Sequence, residues 1–240
     1  MAIKKENILG VDIGGSKIGL VVWDGKKVVK QLFIGKPTLA KLKEGIGRLG
    51  NIKKIGMGVP GIFDEKTGRI IKCPNAAWLN GLNLKNLFPK KTVKIDNDVH
   101  CFLRAEASFG AGRGYNNILA VAFGAGIGGG VMVNSKILNS PAGEFGHMII
   151  DEGKAWEKLY QAGKNNPKAQ EKINAIGVAN LINAFNPEII ILGGEGAKLP
   201  SKKVISQYLL SIPKQMPKIV LAKLGRYSNA IGAILLFSNR

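Results

Sequence analysis

Apolar positions crowd into short runs along the first 35 residues. "NILGVDI", "IGLVVW" and "KVVKQLFI" are separated by Gly14-Gly15 and by Asp24-Gly25, a hairpin dipeptide, and together they predict a strand meander. The spacing in "PTLAKLKEGIGRL" (37–49) predicts a helix, and "IKKIGMGV" (52–59) returns to strand. "TVKID" (92–96) reads as a short strand. "NDVHCFLRAEASFG" reads as a helix that opens on Asn and Asp and closes on Gly110.

The pattern then starts again. "NNILAVAFG", "GGGVMVN" and "KILN" predict a second meander, and "AQEKINAIGVANLINAFN" (169–186) a long helix. "PEIIILGG" (187–194) and "KIVLAKLG" (218–225) follow as strands, and the apolar "NAIGAILLF" (229–237) as a buried terminal helix. Each half thus reads as strand, glycine turn, strand, strand, helix, strand. The expected architecture is two α/β lobes. Residues 1–113, joined by a C-terminal helix at 228–240, form the N-terminal lobe, and 114–227 the other, with a junction at Gly112-Arg113-Gly114.

Two glycine turns carry the first chemical signal. "GAGIGGG" (124–130) holds five glycines in seven positions, a costly concentration of conformational freedom. A dinucleotide-binding loop would open a helix, whereas this one leads into β-branched strand residues. A phosphate loop of the G-x-x-x-x-G-K-[ST] type fails at the other turn, since Ser16-Lys17 stand in reversed order and a strand follows. What is left is a hairpin whose bare amides can cradle an anion, or a plain bulged hairpin. Two such turns, each ending an apolar strand at the start of its own half, favour a nucleotide.

Asp12 adds to this. A carboxylate ending a buried strand needs a partner, and a hydrated Mg²⁺ held through water would serve; a turn-capping Asp is the simpler alternative.

Composition narrows the class. The 240 residues hold 35 Lys and Arg against 16 Asp and Glu, a net charge of +19. Only six of the basic residues are Arg, and the lysines lie scattered in pairs, among them Lys4-Lys5 and Lys26-Lys27. Base reading and phosphate clamping favour Arg, so a solvated lysine-rich surface is the expectation and a nucleic-acid partner is not. No apolar run approaches the roughly 18–20 residues that span a bilayer. Asp12 interrupts the N-terminal run too early for a signal peptide, and two cysteines, Cys73 and Cys101, fit a reducing compartment; a cytoplasmic protein is expected.

The motifs "VDIGGSKIGLVV", "GMGVPGIFDEKTGRI", "PNAAW", "IDNDVHCFLRAEASFGAGRG", "GAGIGGGVMVN", "AGEFGHMIID", "NPEIIILGG" and "LGRYSNAIGA" occur in the order found in ROK-family sugar kinases, and the chain resembles that family over nearly its whole length. The resemblance implies two actin-like, ribonuclease-H-like α/β lobes with sugar and ATP meeting in an interlobe cleft. It implies that Asp98 is the catalytic base, with Asn97, Asn75 and the turn at Gly61 in the sugar pocket, and Glu144, His147 and Glu157 as further sugar ligands. Gly14, Gly15, Ser16 and Lys17 resemble the first phosphate turn; Gly124, Ala125, Gly126 and Gly128 resemble the second, and Gly193-Gly194 the turn beneath the adenosine. Asp98 opens a helix, whose dipole favours a carboxylate there; a plain helix cap is the alternative role for Asn97-Asp98.

The chain departs from the family pattern twice. The zinc loop C-x-C-G-x-x-G-C that follows the GH motif is missing from "HMIIDEGKAWEKLYQAG", so no zinc is expected. Ala125 stands where the family has Thr, which removes one hydroxyl donor to phosphate. The expected function is transfer of the γ-phosphate of ATP to a sugar hydroxyl, the 6-hydroxyl, with Mg²⁺. Related kinases are often homodimers. The competing reading is a sugar-sensing regulator of the same family; such proteins carry an added helix-turn-helix ahead of the first strand, which here begins by about residue 7.

Overall fold

In the computed structural model, which describes residues 7–139, 141–151, 153–209 and 216–238, the first apolar runs form β1 (Ile8–Ile13), β2 (Lys17–Trp23) and β3 (Val28–Gly35). Lys4, Lys5 and the final two residues of the expected helix 228–240 lie outside the described residues. Helix α1 (Leu39–Arg48) starts where the Thr38 side chain accepts a hydrogen bond from the Lys41 amide at 3.3 Å. Then come β4 (Lys54–Val59), the short hairpin β5 (Ile62–Phe63) and β6 (Ile70–Lys72), a 3-10 turn at Pro74–Leu79, β7 (Thr92–Asn97) and α2 (Asp98–Phe109). The β2–β3 connection is longer than a two-residue hairpin. Residues 24–27 fold around Asp24, whose Oδ1 accepts the Lys26 and Lys27 amides at 2.8 and 2.9 Å.

These strands form one sheet in the order β3-β2-β1-β4-β7, with β1, β4 and β7 parallel and β1, β2 and β3 antiparallel. Alternation divides its side chains between two faces. Leu9, Val11, Ile13, Ile55 and Met57 pack with Leu42 and Ile46 of α1. Ile8 and Val21 face the other way, onto Ala230 and Ile234 of the C-terminal helix Ser228–Ile234. Gly10 and Gly56 lie on that second face, and any Cβ there would collide with the carbonyls of Ala230 and Ala233; Gly232 meets the carbonyl of Cys101 in the same way. The absent side chains therefore let backbone pack on backbone, so that the helix sits between the sheet and α2. Its last turn tightens into a 3-10 turn at Leu235–Phe237, where the sequence pattern predicts continued α-helix.

Residues 107–223 form a second compact unit, while the first comprises residues up to 106 and those from 224 on. The second contains β8 (Ile118–Phe123), β9 (Ile127–Val133), β10 (Lys136–Ile137), β11 (Ile149–Asp151), β12 (Lys154–Ala155), α3 (Trp156–Ala162), α4 (Pro167–Phe185), β13 (Ile189–Gly193), α5 (Lys202–Ser206) and β14 (Lys218–Leu221). Its sheet order, β10-β9-β8-β13-β14 with β8, β13 and β14 parallel, repeats the topology of the first sheet. Helix α4 is delimited by residues suited to its ends: Asn166 caps the Ala169 amide at 3.1 Å, Pro167 fills the first turn, and Asn186 closes it at φ 42°. The core joins Val121, Phe123, Ile190 and Leu192 to Val178, Leu181 and Ile182 of α4 and to Trp156 and Tyr160 of α3. The buried Trp156 indole donates to Asn174 Oδ1 at 3.2 Å, and its ring lies against Gly177, where a side chain would not fit.

Candidate functional site

In the first unit the candidate residues gather at the carboxyl ends of β1, β4 and β7, the edge where open α/β sheets bind ligands. Register explains how Asp12 fits. Its neighbours across the sheet are Gly19 on β2 and Gly58 on β4, and Gly58 is in turn paired with Asp96 on β7. The row Gly19–Asp12–Gly58–Asp96 thus alternates glycine with carboxylate, with Asp12 meeting the C-terminal helix and Gly58 and Asp96 meeting α2. Asn229 donates to Asp12 Oδ1 at 3.2 Å. Burial and the nearby Asp98 carboxylate push the Asp12 carboxyl up from 3.8 to about 7, against the smaller opposing effects of Asn229 and Lys17.

Asp98 is the first residue of α2. Its backbone descends onto Gly58, where a Cβ would lie 3.4 Å from the Asp98 Cα and 3.3 Å from Cys101 Sγ. Asn97 serves as the helix cap: its Oδ1 accepts the amides of Val99 at 2.8 Å and His100 at 3.4 Å, and Asp98 Oδ1 also accepts the Val99 amide at 2.9 Å. Asp96 is tied to His100 at 3.1 Å and Arg104 at 2.7 Å. Burial works against its ionisation, but those two partners outweigh it and hold the carboxyl below the ordinary value. Burial, reinforced by Asp96, pushes the Cys101 thiol well above its ordinary range; burial also raises Cys73, with Asp98 acting in the same direction. Both thiols are thereby kept protonated and unreactive.

The first glycine turn reaches the same edge. The Gly14 amide donates to the Lys17 carbonyl at 2.9 Å, and Gly15 packs directly on the backbone of Asn75. Gly61, at φ 86°, packs on Lys72 and Cys73 just before Asn75. Ser16 accepts the Lys36 amide through its carbonyl at 3.2 Å, and Lys17 sits 5.9 Å from the Phe33 ring centroid. The structure therefore brings together Asp12, Gly14, Gly15, Gly61, Asn75, Asn97 and Asp98.

In the second unit the turn at 124–126 ends β8. The Gly124 amide donates to the Gly126 carbonyl at 2.9 Å, and a Cβ on Gly124 would meet open space. Packing thus does not require glycine at 124, whereas at 126 it does, since Glu157 lies there. Glu157 Oε2 accepts the Ile127 amide at 2.8 Å, and one helical turn later Gln161 donates to the Ala125 carbonyl. Gly128 and Gly193 flank Ala122 on either side across the sheet. Gly194, at φ 91°, turns the chain against the Phe123 backbone, and the Gly196 amide donates to the Phe123 carbonyl at 3.2 Å. The two glycine turns of this unit are therefore neighbours.

Glu144 and His147 flank a buried pair, Phe145 and Gly146, in a 3-10 turn. Gly129 and Gly146 admit that turn against β9, which leaves Glu144 and His147 exposed, 57% and 77%, with 3.7 Å between Glu144 Oε2 and His147 Nε2. Gly146 also borders Glu157. Among the described residues no group of three or more His, Cys, Asp or Glu could hold a metal ion, and no helix is long and apolar enough to cross a membrane.

Sequence reasoning missed Gly19, Gly58, Asp96 and Asn229. The alternating "GMG" in β4 was the available signal for Gly58, but its meaning depends on strand register.

Comparison with known proteins places this geometry in a family. Glucokinase of Thermotoga maritima is 25% identical over 312 aligned positions, which cover 98% of this chain and 98% of that protein; at 240 residues this chain is the shorter of the two. The xylose repressor of Caldicellulosiruptor bescii is 25% identical over 270 positions, covering 80% of this chain and 66% of the repressor. The solved structure of a ROK family glucokinase from Streptomyces griseus, in complex with glucose and AMPPNP, shares the fold. Its TM-score is 0.79 at 22% identity, over 96% of this chain and 98% of that one. The ROK family profile matches residues 8–158 and 154–240, nearly all of the sequence, and the chain belongs to the ROK family.

Proposed function

We propose that the chain is an ATP-dependent sugar kinase that moves the γ-phosphate of ATP to a sugar hydroxyl, the 6-hydroxyl, with Asp98 as base. The observation that carries this reading is the meeting of Asp12, the Gly14-Gly15 turn, Asn75 and Asp98 at one sheet edge. Alignment with a glucokinase over 98% of both chains supports it.

The residues present fit Mg²⁺ and ATP. Asp12 holds a carboxyl whose ionisation is opposed by burial and by Asp98, and a divalent cation nearby would relieve both. Mg²⁺ is bound by one or two carboxylates with water and substrate phosphates, so Asp12 would hold it, through water. The bound ion would supply neutralisation of charge on the phosphate oxygens. Gly14, Gly15, Ser16 and Lys17 are the nucleotide contacts we propose for the first unit. Those for the second are Gly124, Ala125, Gly126, Gly128, Gly193 and Gly194, with the space open at Gly124 admitting phosphate to the backbone of the turn.

Asn75, Asn97 and the turn at Gly61 would bind sugar hydroxyls, as would Glu144, His147 and Glu157. Phosphoryl transfer has a loose transition state, so the protein's task is mainly to position the groups. Asp98 would orient the acceptor hydroxyl and take its proton late in the transfer.

ADP release with ATP and magnesium, measured against glucose, N-acetylglucosamine, N-acetylmannosamine, mannose, fructose and allose, tests this. One sugar should raise turnover well above the sugar-free rate. Asp98→Asn should lower kcat by ~10³-fold or more while sugar affinity changes little. Equal release with and without every sugar would overturn the reading. The repressor among the relatives and the charge of +19 favour a second reading, a sugar-sensing regulator. Sequence-specific DNA binding at physiological salt, without sugar-dependent turnover, would support it.

A further inference from the structure

We propose that Asp96, held by His100 and Arg104, is a positioning residue that fixes the Asp98 carboxylate from behind. The claim rests on the kinase reading only for its kinetic consequence. Asp96 ends β7 and Asp98 begins α2, so the two are separated by Asn97 alone. Both Asp96 oxygens are engaged. Oδ1 accepts the Asn97 amide at 2.7 Å and the His100 Nδ1 hydrogen at 3.1 Å, and Oδ2 accepts Arg104 Nη2 at 2.7 Å. A carboxylate can only accept here, so His100 carries its proton on Nδ1. His100 and Arg104 lie four and eight residues beyond Asp96, one above the other on the same face of α2.

A helix start does not require this arrangement. Asn97 Oδ1 already caps the amides of Val99 and His100. The three bonds to Asp96 are additional, and they lock the backbone on the strand side of Asp98 as Asn97 locks it on the helix side. Arg104 also answers a charge problem. Two carboxylates two residues apart repel, and a guanidinium on Asp96 cancels the one that would push Asp98 from its place. Arg104 Nη1 is buried with no hydrogen-bond partner, so the side chain is seated for Asp96 and not for full hydrogen bonding.

The test uses the full chain and the variants Arg104→Gln and Arg104→Lys, with amide hydrogen exchange at residues 97–100 and steady-state ADP release. Arg104→Gln should speed exchange at those amides by ~10-fold. It should lower kcat by ~10–100-fold with the sugar KM within about threefold, because a misplaced base affects the transition state and not ground-state binding. Arg104→Lys, which keeps the charge, should recover most of both. Unchanged exchange, or faster exchange with unchanged kcat in an active enzyme, overturns the proposal; so does a kcat loss that Lys does not repair. If Arg104→Gln fails to fold, His100→Gln decides by the same criteria. A wild-type protein without sugar-dependent turnover sinks the kinase reading separately, and exchange then decides alone: protection lost in Gln and restored in Lys supports the lock, and retained protection overturns it.

Discussion

Replacing Asp12 with Asn should stabilise the protein at alkaline pH while removing most of its activity. The Asp12 carboxyl, ordinarily at 3.8, is pushed to about 7 by burial and by the charge of Asp98. Between those two values the folded chain binds a proton that the unfolded chain has released. The contribution of Asp12 to stability therefore falls as pH rises from about 4 to about 7 and stays low above that. At ~1.4 kcal/mol per pH unit the interval sets a ceiling of ~4 kcal/mol, and relaxation with water entry should leave ~1–2 kcal/mol. Asn keeps the shape, and its carbonyl can still accept from Asn229, which donates to the wild-type Oδ1. Thermal melts in EDTA from pH 4.5 to 8 should show the variant equal to wild type at the acid end. At pH 8 it should melt ~3–6 °C higher, the shift expected for a chain of this size. Turnover with Mg·ATP should fall by ~100-fold or more if Asp12 holds the cation as proposed, since the variant offers it no anion. A melting difference independent of pH, or a variant less stable than wild type at pH 8, would refute the argument that the carboxylate is held at a cost.

Gly58→Ala places a methyl 3.4 Å from the Asp98 Cα and 3.3 Å from Cys101 Sγ, so α2 must shift by a few tenths of an ångström. Denaturant melts should show a loss of ~1 kcal/mol and kinetics a kcat fall of ~3–10-fold; unchanged kcat would mean that Asp98 tolerates displacement. Glu157→Ala leaves the Ile127 amide without its acceptor, at a cost of ~1.5–3 kcal/mol in stability. It should raise the KM for the sugar by ~10-fold, because Glu157 is one of the proposed sugar ligands, and the KM for ATP as well through a loosened turn; an unchanged sugar KM would remove Glu157 from the sugar contacts.

The long periodic elements were legible in the sequence because each has its own local cause. Thr38 before α1, Asn166-Pro167 before α4 and the Gly14-Gly15 turn act within a few residues of where they stand. The β5–β6 and β11–β12 pairs and the 3-10 turn at Pro74–Leu79 carry no run long enough to show a period. Glycines within strands are ambiguous in sequence, since they weaken a strand unless something approaches it closely. Gly10 and Gly56 owe their place to a helix more than 170 residues later, which local pattern cannot reveal. In the same way Asp12 and Asp98 could be picked out by motif, whereas Gly19, Gly58 and Asp96 acquire their role only when four strands settle into register. The DND motif points to its second carboxylate, while two of the three hydrogen bonds accepted by the first depend on residues a turn or two further along α2.

The return of residues 228–234 to the first sheet orders events during synthesis. Residues 107–223 are continuous in the chain, so that unit can assemble as it leaves the ribosome. The glycine-bared face of β1 and β4, made much earlier, must wait uncovered until its helix emerges. The edge that carries Asp12 is therefore completed late, because Asn229 arrives with that helix. A nascent chain would then hold a finished second half before its first half is able to grip anything.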